Sequence, residues 1–149
     1  MSSGPETADP HWHLTVQPPS PAAYARLCTA VGWERYADEV RAAVALANSL
    51  AHATVTNDDE VVGMGRVVGD GAIVFYLQDI AVDPEHHGQG IGTAIVDSLM
   101  HQIDRLAPPG SFIGLFSAPR AAELYRRVGF ESSNTGMSRD LPWDQPLRP

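Results

Sequence analysis

The stretch His86-His87-Gly88-Gln89-Gly90-Ile91-Gly92-Thr93 decides how the rest of the chain reads. Three glycines stand at alternate positions, and Ile91, Ile95, Leu99 and Ile103 then recur every four residues with Ala94 and Leu106 beside them. That spacing predicts an amphipathic helix packed on a sheet. Glycine costs a helix about 1 kcal/mol relative to alanine, so glycines at a helix start imply a use for bare backbone. The first turn of a helix carries N–H groups without internal partners, and the macrodipole adds roughly half a positive charge there. An anion fits such a terminus, and residues without Cβ let the backbone approach it. The alternative is a tight turn that binds nothing. Two other phosphate loops match poorly. The Walker loop needs a lysine, and this chain has none. The dinucleotide fingerprint needs a further glycine, where this chain has Ala94 and Ile95.

Upstream of the loop, residues 72–77 are nearly all apolar, which predicts a central strand buried on both faces. The run breaks at Gln78-Asp79, resumes as Ile80-Ala81-Val82 and ends at Asp83-Pro84. Farther back, residues 12–16 read as a first strand. A helix follows from Pro21 to about Val31, with Ser20 as cap and Pro21 at its first position. A second, alanine-rich helix spans residues 38–50, with Val40, Val44 and Leu46 or Ala47 on its apolar face. Residues 51–56 and 61–68 make a hairpin about Asn57-Asp58-Asp59-Glu60, its second strand weakened by Gly63 and Gly65. Downstream, Pro108-Pro109-Gly110 stops the long helix, and residues 112–116 form another apolar strand. Pro119 opens a helix whose apolar face holds Ala121, Leu124, Tyr125 and Val128, and Gly129 caps its end. Residues 130–141 are expected to hold a last hairpin turning at Asn134-Thr135-Gly136. The whole is a mixed α/β sheet.

With 149 residues, 44% hydrophobic and 19% charged, the chain fits one globular domain, taken as residues 11–141. Residues 1–10 read as a disordered tail without the apolar core of a signal peptide, and residues 142–149 as an irregular one. No apolar run reaches the ~20 residues of a membrane helix. A net charge of −8, with all ten basic residues arginine, argues against a nucleic-acid or anionic-membrane partner. An acidic surface mildly attracts cationic small molecules, though solubility alone would account for it. The lone Cys28 excludes an internal disulfide and suits a reducing cytoplasm. His11 with His13, and His86 with His87, lack further ligands at metal-site spacing, so no metal is expected.

Ile80-Ala81-Val82-Asp83-Pro84 followed by His87-x-x-Gly90-x-Gly92 resembles the acetyl-CoA signature of the GNAT superfamily of N-acetyltransferases. Leu124-Tyr125-Arg126-Arg127-Val128-Gly129-Phe130 resembles that superfamily's second signature, in its order and spacing. The resemblance covers residues 75–130 closely and residues 14–68 only as a pattern of elements. His87 departs from it, since the family usually has Arg or Gln there; histidine can still donate to phosphate, with a charge that depends on pH. The resemblance implies the GNAT fold: a mostly antiparallel sheet with a central splayed strand pair and helices on both faces.

It also implies a site and a reaction, the transfer of an acetyl group from acetyl-CoA to the primary amine of a small molecule. The CoA pyrophosphate would lie on the amides of Gly88, Gln89, Gly90, Ile91 and Gly92, with His87 and Thr93 adjoining. The pantetheine arm would pair with Ile80, Ala81 and Val82. The break at Gln78-Asp79 would be a bulge beside which the next strand splays away to open the channel. Tyr125 would protonate the departing thiolate; spacing alone favours a core tyrosine, and the family motif reverses that preference. Asp79 could deprotonate the amine, hold it, or cap local backbone. Ser117 would contact CoA or cap the helix of Tyr125. Tyr24, Trp33, Tyr36, Gln78 and Asp79, with Trp143, would bound the acceptor pocket. Residues 75–80 also resemble, over a short stretch, an aralkylamine- or serotonin-type branch. Alternatives are a non-catalytic acyl-CoA sensor, and an acetyltransferase acting on a protein amine. The resemblance further suggests a homodimer.

Overall fold

Two adjacent aspartates reverse the chain at the first hairpin. Asp58 and Asp59 take positive φ angles of 48° and 64°, the geometry of a two-residue turn that matches strand twist. They join β2 (Ala51–Asn57) to β3 (Glu60–Gly69). The structure, a computed structural model, describes residues 11–141, so both tails expected from the sequence, and Trp143, lie outside the described residues. β1 (Trp12–Thr15) flanks β2, and β4 (Val74–Val82) follows β3 through the turn at Asp70. β5 (Phe112–Gly114) completes a sheet in simple order β1-β2-β3-β4-β5. Every pairing is antiparallel except β4 with β5, which is parallel.

Helices cover both faces. α1 (Pro21–Ala30) and α2 (Glu39–Ala47) lie on one side, and α3 (Ile91–Leu106) on the other. The short α4 (Ala122–Arg126) stands beside α3. Ser20 caps α1 by accepting from Ala23 N, with Pro21 at the helix start, as the sequence predicts. Asp38 does the same for α2, accepting from Val40 N and Arg41 N. Gly129, at φ 97°, ends the turn after α4 in the left-handed region that glycine tolerates.

One core joins Ile91, Ile95, Leu99 and Ile103 of α3 to Ala53, Val55, Val67, Phe75 and Leu77 of the sheet. The other packs Tyr24, Leu27 and Cys28 of α1 and Ala42 and Leu46 of α2 on Met64 and Ala81. Gly63 and Gly65 are not mere weaknesses of β3. A Cβ on Gly63 would stand 2.8 Å from Ile91 Cγ2, and one on Gly65 2.8 Å from Ile95 Cγ2. These two positions let α3 seat directly on the strand backbone.

Five expectations are corrected. β4 is not buried on both faces but alternates, with Phe75, Leu77, Asp79 and Ala81 buried. The reason is that α1 and α2 leave its first residues uncovered. α2 turns Ala42 and Leu46 inward, while Val40 and Val44 are 78% and 62% exposed; packing against α1 selects the opposite stripe. β5 ends at Gly114, and the helix carrying Tyr125 shortens to a 3-10 turn (Pro119–Ala121) followed by α4. No strand forms in residues 131–141. That segment is rich in Ser, Asn, Thr and Gly and has no alternating apolar face to bury. Met137 and Leu141 are left exposed.

Candidate active site

The site grows from an irregularity in β4. Met64 pairs with Ala81 and Arg66 with Gln78, so Gly65 alone faces Asp79 and Ile80. This is a β-bulge, one extra residue that turns side chains out of alternation. Asp79 takes φ +55°, a left-handed conformation that aspartate tolerates better than most residues. The bulge carries β4 from one core to the other: Phe75 and Leu77 pack under α3, whereas Asp79 and Ala81 face α1. On the other edge, the β4–β5 ladder stops at Tyr76 opposite Gly114. Beyond that pair the two strands part.

A cavity of about 240 Å³ lies at this fork, lined by Trp33, Tyr36, Gln78, Asp79 and Tyr125 among others. Four of the residues assigned to the acceptor pocket, together with the assigned acid, therefore converge from α1's following turn, β4 and α4. A larger groove of about 590 Å³ adjoins it, sharing Tyr76, Phe116 and Tyr125, and runs along β5 past Ser117 and Phe130. Tyr76 and Phe116 meet edge to face, their ring centroids 6.0 Å apart.

The Asp79 carboxylate is almost completely enclosed, its side chain 5% exposed. Its Oδ2 accepts from the Tyr24 hydroxyl at 2.5 Å and from Arg66 Nε at 2.8 Å, and its Oδ1 from Gln78 Nε2 at 3.0 Å. Arg66 also donates from a terminal nitrogen to Ser49 Oγ at 3.2 Å. Tyr24, assigned to the acceptor pocket, instead lies beneath it, 4% exposed. Burial first, then its bond to Asp79, pushes the Tyr24 phenol above its usual range. Burial likewise pushes the nearby Cys28 thiol up to about 11, which makes it a core side chain rather than a nucleophile.

Tyr125 is 8% exposed and sits on α4 against Phe130, ring centroids 6.2 Å apart at 79°. Desolvation raises its phenol above the ordinary tyrosine value, so it stays protonated at neutral pH. Ser117 caps no helix; its hydroxyl donates to the Ala118 carbonyl, and it lines the larger groove.

The glycine loop stands at the opposite end of β4 and belongs to neither cavity. Gly88 and Gly90 take φ of 78° and 77°, and a Cβ on either would meet nothing within 4 Å. Gly90 is the N-cap of α3 and supplies no side chain to its amides. One loop carbonyl and the His87 ring, in contrast, are tied back. Trp12 Nε1 donates to the Gln89 carbonyl at 3.3 Å, and His87 Nε2 to the Val82 carbonyl at 3.1 Å. The cradle of Gly88, Gln89, Gly90, Ile91, Gly92 and Thr93 is thus open backbone at a helix start, which fits a diphosphate. Val82, Ala81 and Ile80 lead from it back to the bulge.

Sequence reasoning missed Arg66, Tyr76, Phe116 and Trp12. Only Arg66 left a signal, as the lone charge in the apolar run 61–68. Among the described residues, no helix is long and apolar enough to cross a membrane, and no group of three His, Cys, Asp or Glu could hold a metal.

Known proteins were compared with this geometry. A chloroplastic GCN5-related N-acetyltransferase 2 of Arabidopsis thaliana is 30% identical over 131 residues, covering 74% of this chain and 50% of its own. A histone acetyltransferase TAP1 of Glycine max is 32% identical over 122 residues, covering 74% and 52%. The chain thus spans about half the length of these curated relatives. The crystal structure of SA2161, a probable acetyltransferase of meticillin-resistant Staphylococcus aureus, superposes with a TM-score of 0.81 at 29% identity, over 87% of this chain and 99% of that one. The family profile described as "Acetyltransferase (GNAT) domain" matches residues 48–132, from the end of α2 past Tyr125. With bulge, forked strands and glycine-opened helix in the same span, the chain belongs to the GNAT acetyltransferase family.

Proposed function

We propose that this protein transfers an acetyl group from acetyl-CoA to the primary amine of a small molecule. One observation carries the reading: a buried, protonated tyrosine and the bulge of β4 line one cavity, while the same strand leads to an uncapped helix start built on glycine. The cradle amides and α3 dipole would hold the CoA diphosphate, and acetyl-CoA supplies the activated acyl group. His87 adjoins that site in sequence, its Nε2 being committed to the Val82 carbonyl.

The amine nitrogen attacks the thioester carbonyl carbon; a C–N bond forms and the C–S bond breaks. The sulfur leaves as a thiolate and takes the Tyr125 proton, which water restores, and the amine's surplus proton passes to water. Both Asp79 oxygens are occupied by Tyr24, Arg66 and Gln78, so Asp79 acts by shaping the bulge. The lone free thiol of Cys28 suits a cytoplasmic setting. A protein amine is the second reading, favoured by the long groove beside β5 and by the soybean relative's name.

Thiol release from acetyl-CoA across a panel of small amines and a basic peptide tests this. Release with a small amine, at rates that saturate in both substrates, is the expected result. Release only with the peptide would move the acceptor to protein. Acetyl-CoA binding without release from any amine would make the fold an acyl-CoA sensor.

A further inference from the structure

We propose that Arg66 is a specificity-determining residue: by pairing with Asp79 it leaves the reaction cavity without an uncommitted anion, so that the cavity accepts a monoamine with a flat apolar body and rejects diamines and polyamines. This rests on the reading of that cavity as the acceptor site.

Five aromatic residues, Trp33, Tyr36, Tyr76, Phe116 and Tyr125, line it. Apart from these, the lining residues with polar side chains are Gln78 and Asp79. Asp79 is the single acidic lining residue, and both of its oxygens are engaged, by Arg66, Tyr24 and Gln78. The Gln78 amide nitrogen is spent on the same carboxylate. Arg66 is itself largely enclosed, its side chain 14% exposed, and fixed at its far end by Ser49. A second ammonium carried into this space loses its water and finds no counter-charge, which is strongly unfavourable. Ring faces suit an aromatic or flat aliphatic body, and they desolvate the reacting nitrogen toward its neutral, nucleophilic form. The chain's overall acidity does not change this, because surface charge is screened over about 10 Å. Removing Arg66 exposes a naked carboxylate to the cavity and reverses the selection.

The test compares phenethylamine with putrescine under saturating acetyl-CoA. In the native protein kcat/KM for phenethylamine is expected to exceed that for putrescine by about 100-fold. Arg66→Met is expected to narrow that ratio about tenfold or invert it, mainly through a lower KM for putrescine. Arg66→Met combined with Asp79→Asn replaces the ion pair by neutral groups of similar shape and is expected to restore the preference. If Arg66→Met alone does not fold, the double variant carries the test, since it leaves neither member of the ion pair charged; a putrescine preference in it overturns the proposal. So does equal use of both amines by the native protein, or an unchanged ratio in folded Arg66→Met. Thiol release with putrescine alone overturns this inference and leaves acetyl transfer standing. Failure of every amine while acetyl-CoA still raises the melting temperature overturns both.

Discussion

Tyr125 owes its proposed chemistry to an ordinary packing event. Its ring is closed in by Phe130 and α4, and desolvation keeps the phenol protonated above its normal titration near 10. Tyr125→Phe preserves the packing and removes only the proton. Its kcat is expected to fall about 100-fold, with the alkaline fall in rate that belongs to the phenol disappearing. Thiol release followed from neutral to strongly alkaline pH checks both; an undiminished kcat would assign the proton to another donor. Asp70 shows the same logic in the fold. Its carboxylate accepts from Ala72 N, Ile73 N and Val74 N, and these bonds lower its pKa to about 2. The folded value lies below the unfolded value of about 3.9. The stabilisation is therefore present above that pH and is lost as pH falls through the folded value. Asp70→Ala is expected to lower the melting temperature at neutral pH and to reduce its decline between about pH 4 and pH 2. Equal acid decline in both proteins would show that the turn does not depend on this carboxylate.

Between elements, the closest engagement is α3 on β3. The contact depends on Gly65, where a Cβ would lie 2.8 Å from Ile95 Cγ2 and 3.0 Å from Leu99 Cδ1. Both neighbours are fully buried, so neither can swing away. Gly65→Ala is expected to destabilise the protein by about 1–3 kcal/mol through overpacking, read as a lower urea midpoint at unchanged slope. Period and punctuation made most elements legible: α3 from its four-residue spacing and the α1 cap from Ser20 with Pro21, while the bulge at Gln78-Asp79 was legible only through the family resemblance. What stayed illegible depended on partners distant in sequence. Which stripe of α2 faces inward was decided by α1, not by valine count, since Ala42 and Leu46 won over Val40 and Val44. Gly63 and Gly65 read as strand weakeners because the helix that needs them starts at Ile91, more than 25 residues downstream of either. Arg66 showed only as an oddity of composition, because its partner Asp79 reaches it through a bulge.

For the whole molecule, one strand links everything the proposed reaction requires. β4 touches both cores, leaves β5 at Tyr76, bulges at Asp79 and ends at Val82, whose carbonyl holds His87 beside the cradle. A ligand stretched from the cradle to the fork would therefore bridge α3, β4 and α4. Binding to the native state alone stabilises by about 2.7 kcal/mol at one hundred times Kd. In a domain of this size that corresponds to a rise in Tm of about 5–10 °C. Gly90→Val puts a branched side chain at φ 77°, where the strain is local and the Cβ enters open space rather than the core. The variant is expected to fold with a modest loss of Tm, since nothing in either core touches the position. Its shift with acetyl-CoA at the same concentration is expected to fall below about 2 °C, because the branched side chain occupies the approach to the amides. Thermal melts of the two proteins with and without acetyl-CoA decide the matter. A full shift in Gly90→Val would mean that the diphosphate is held away from the α3 start, and that the two ends of β4 do not serve one ligand.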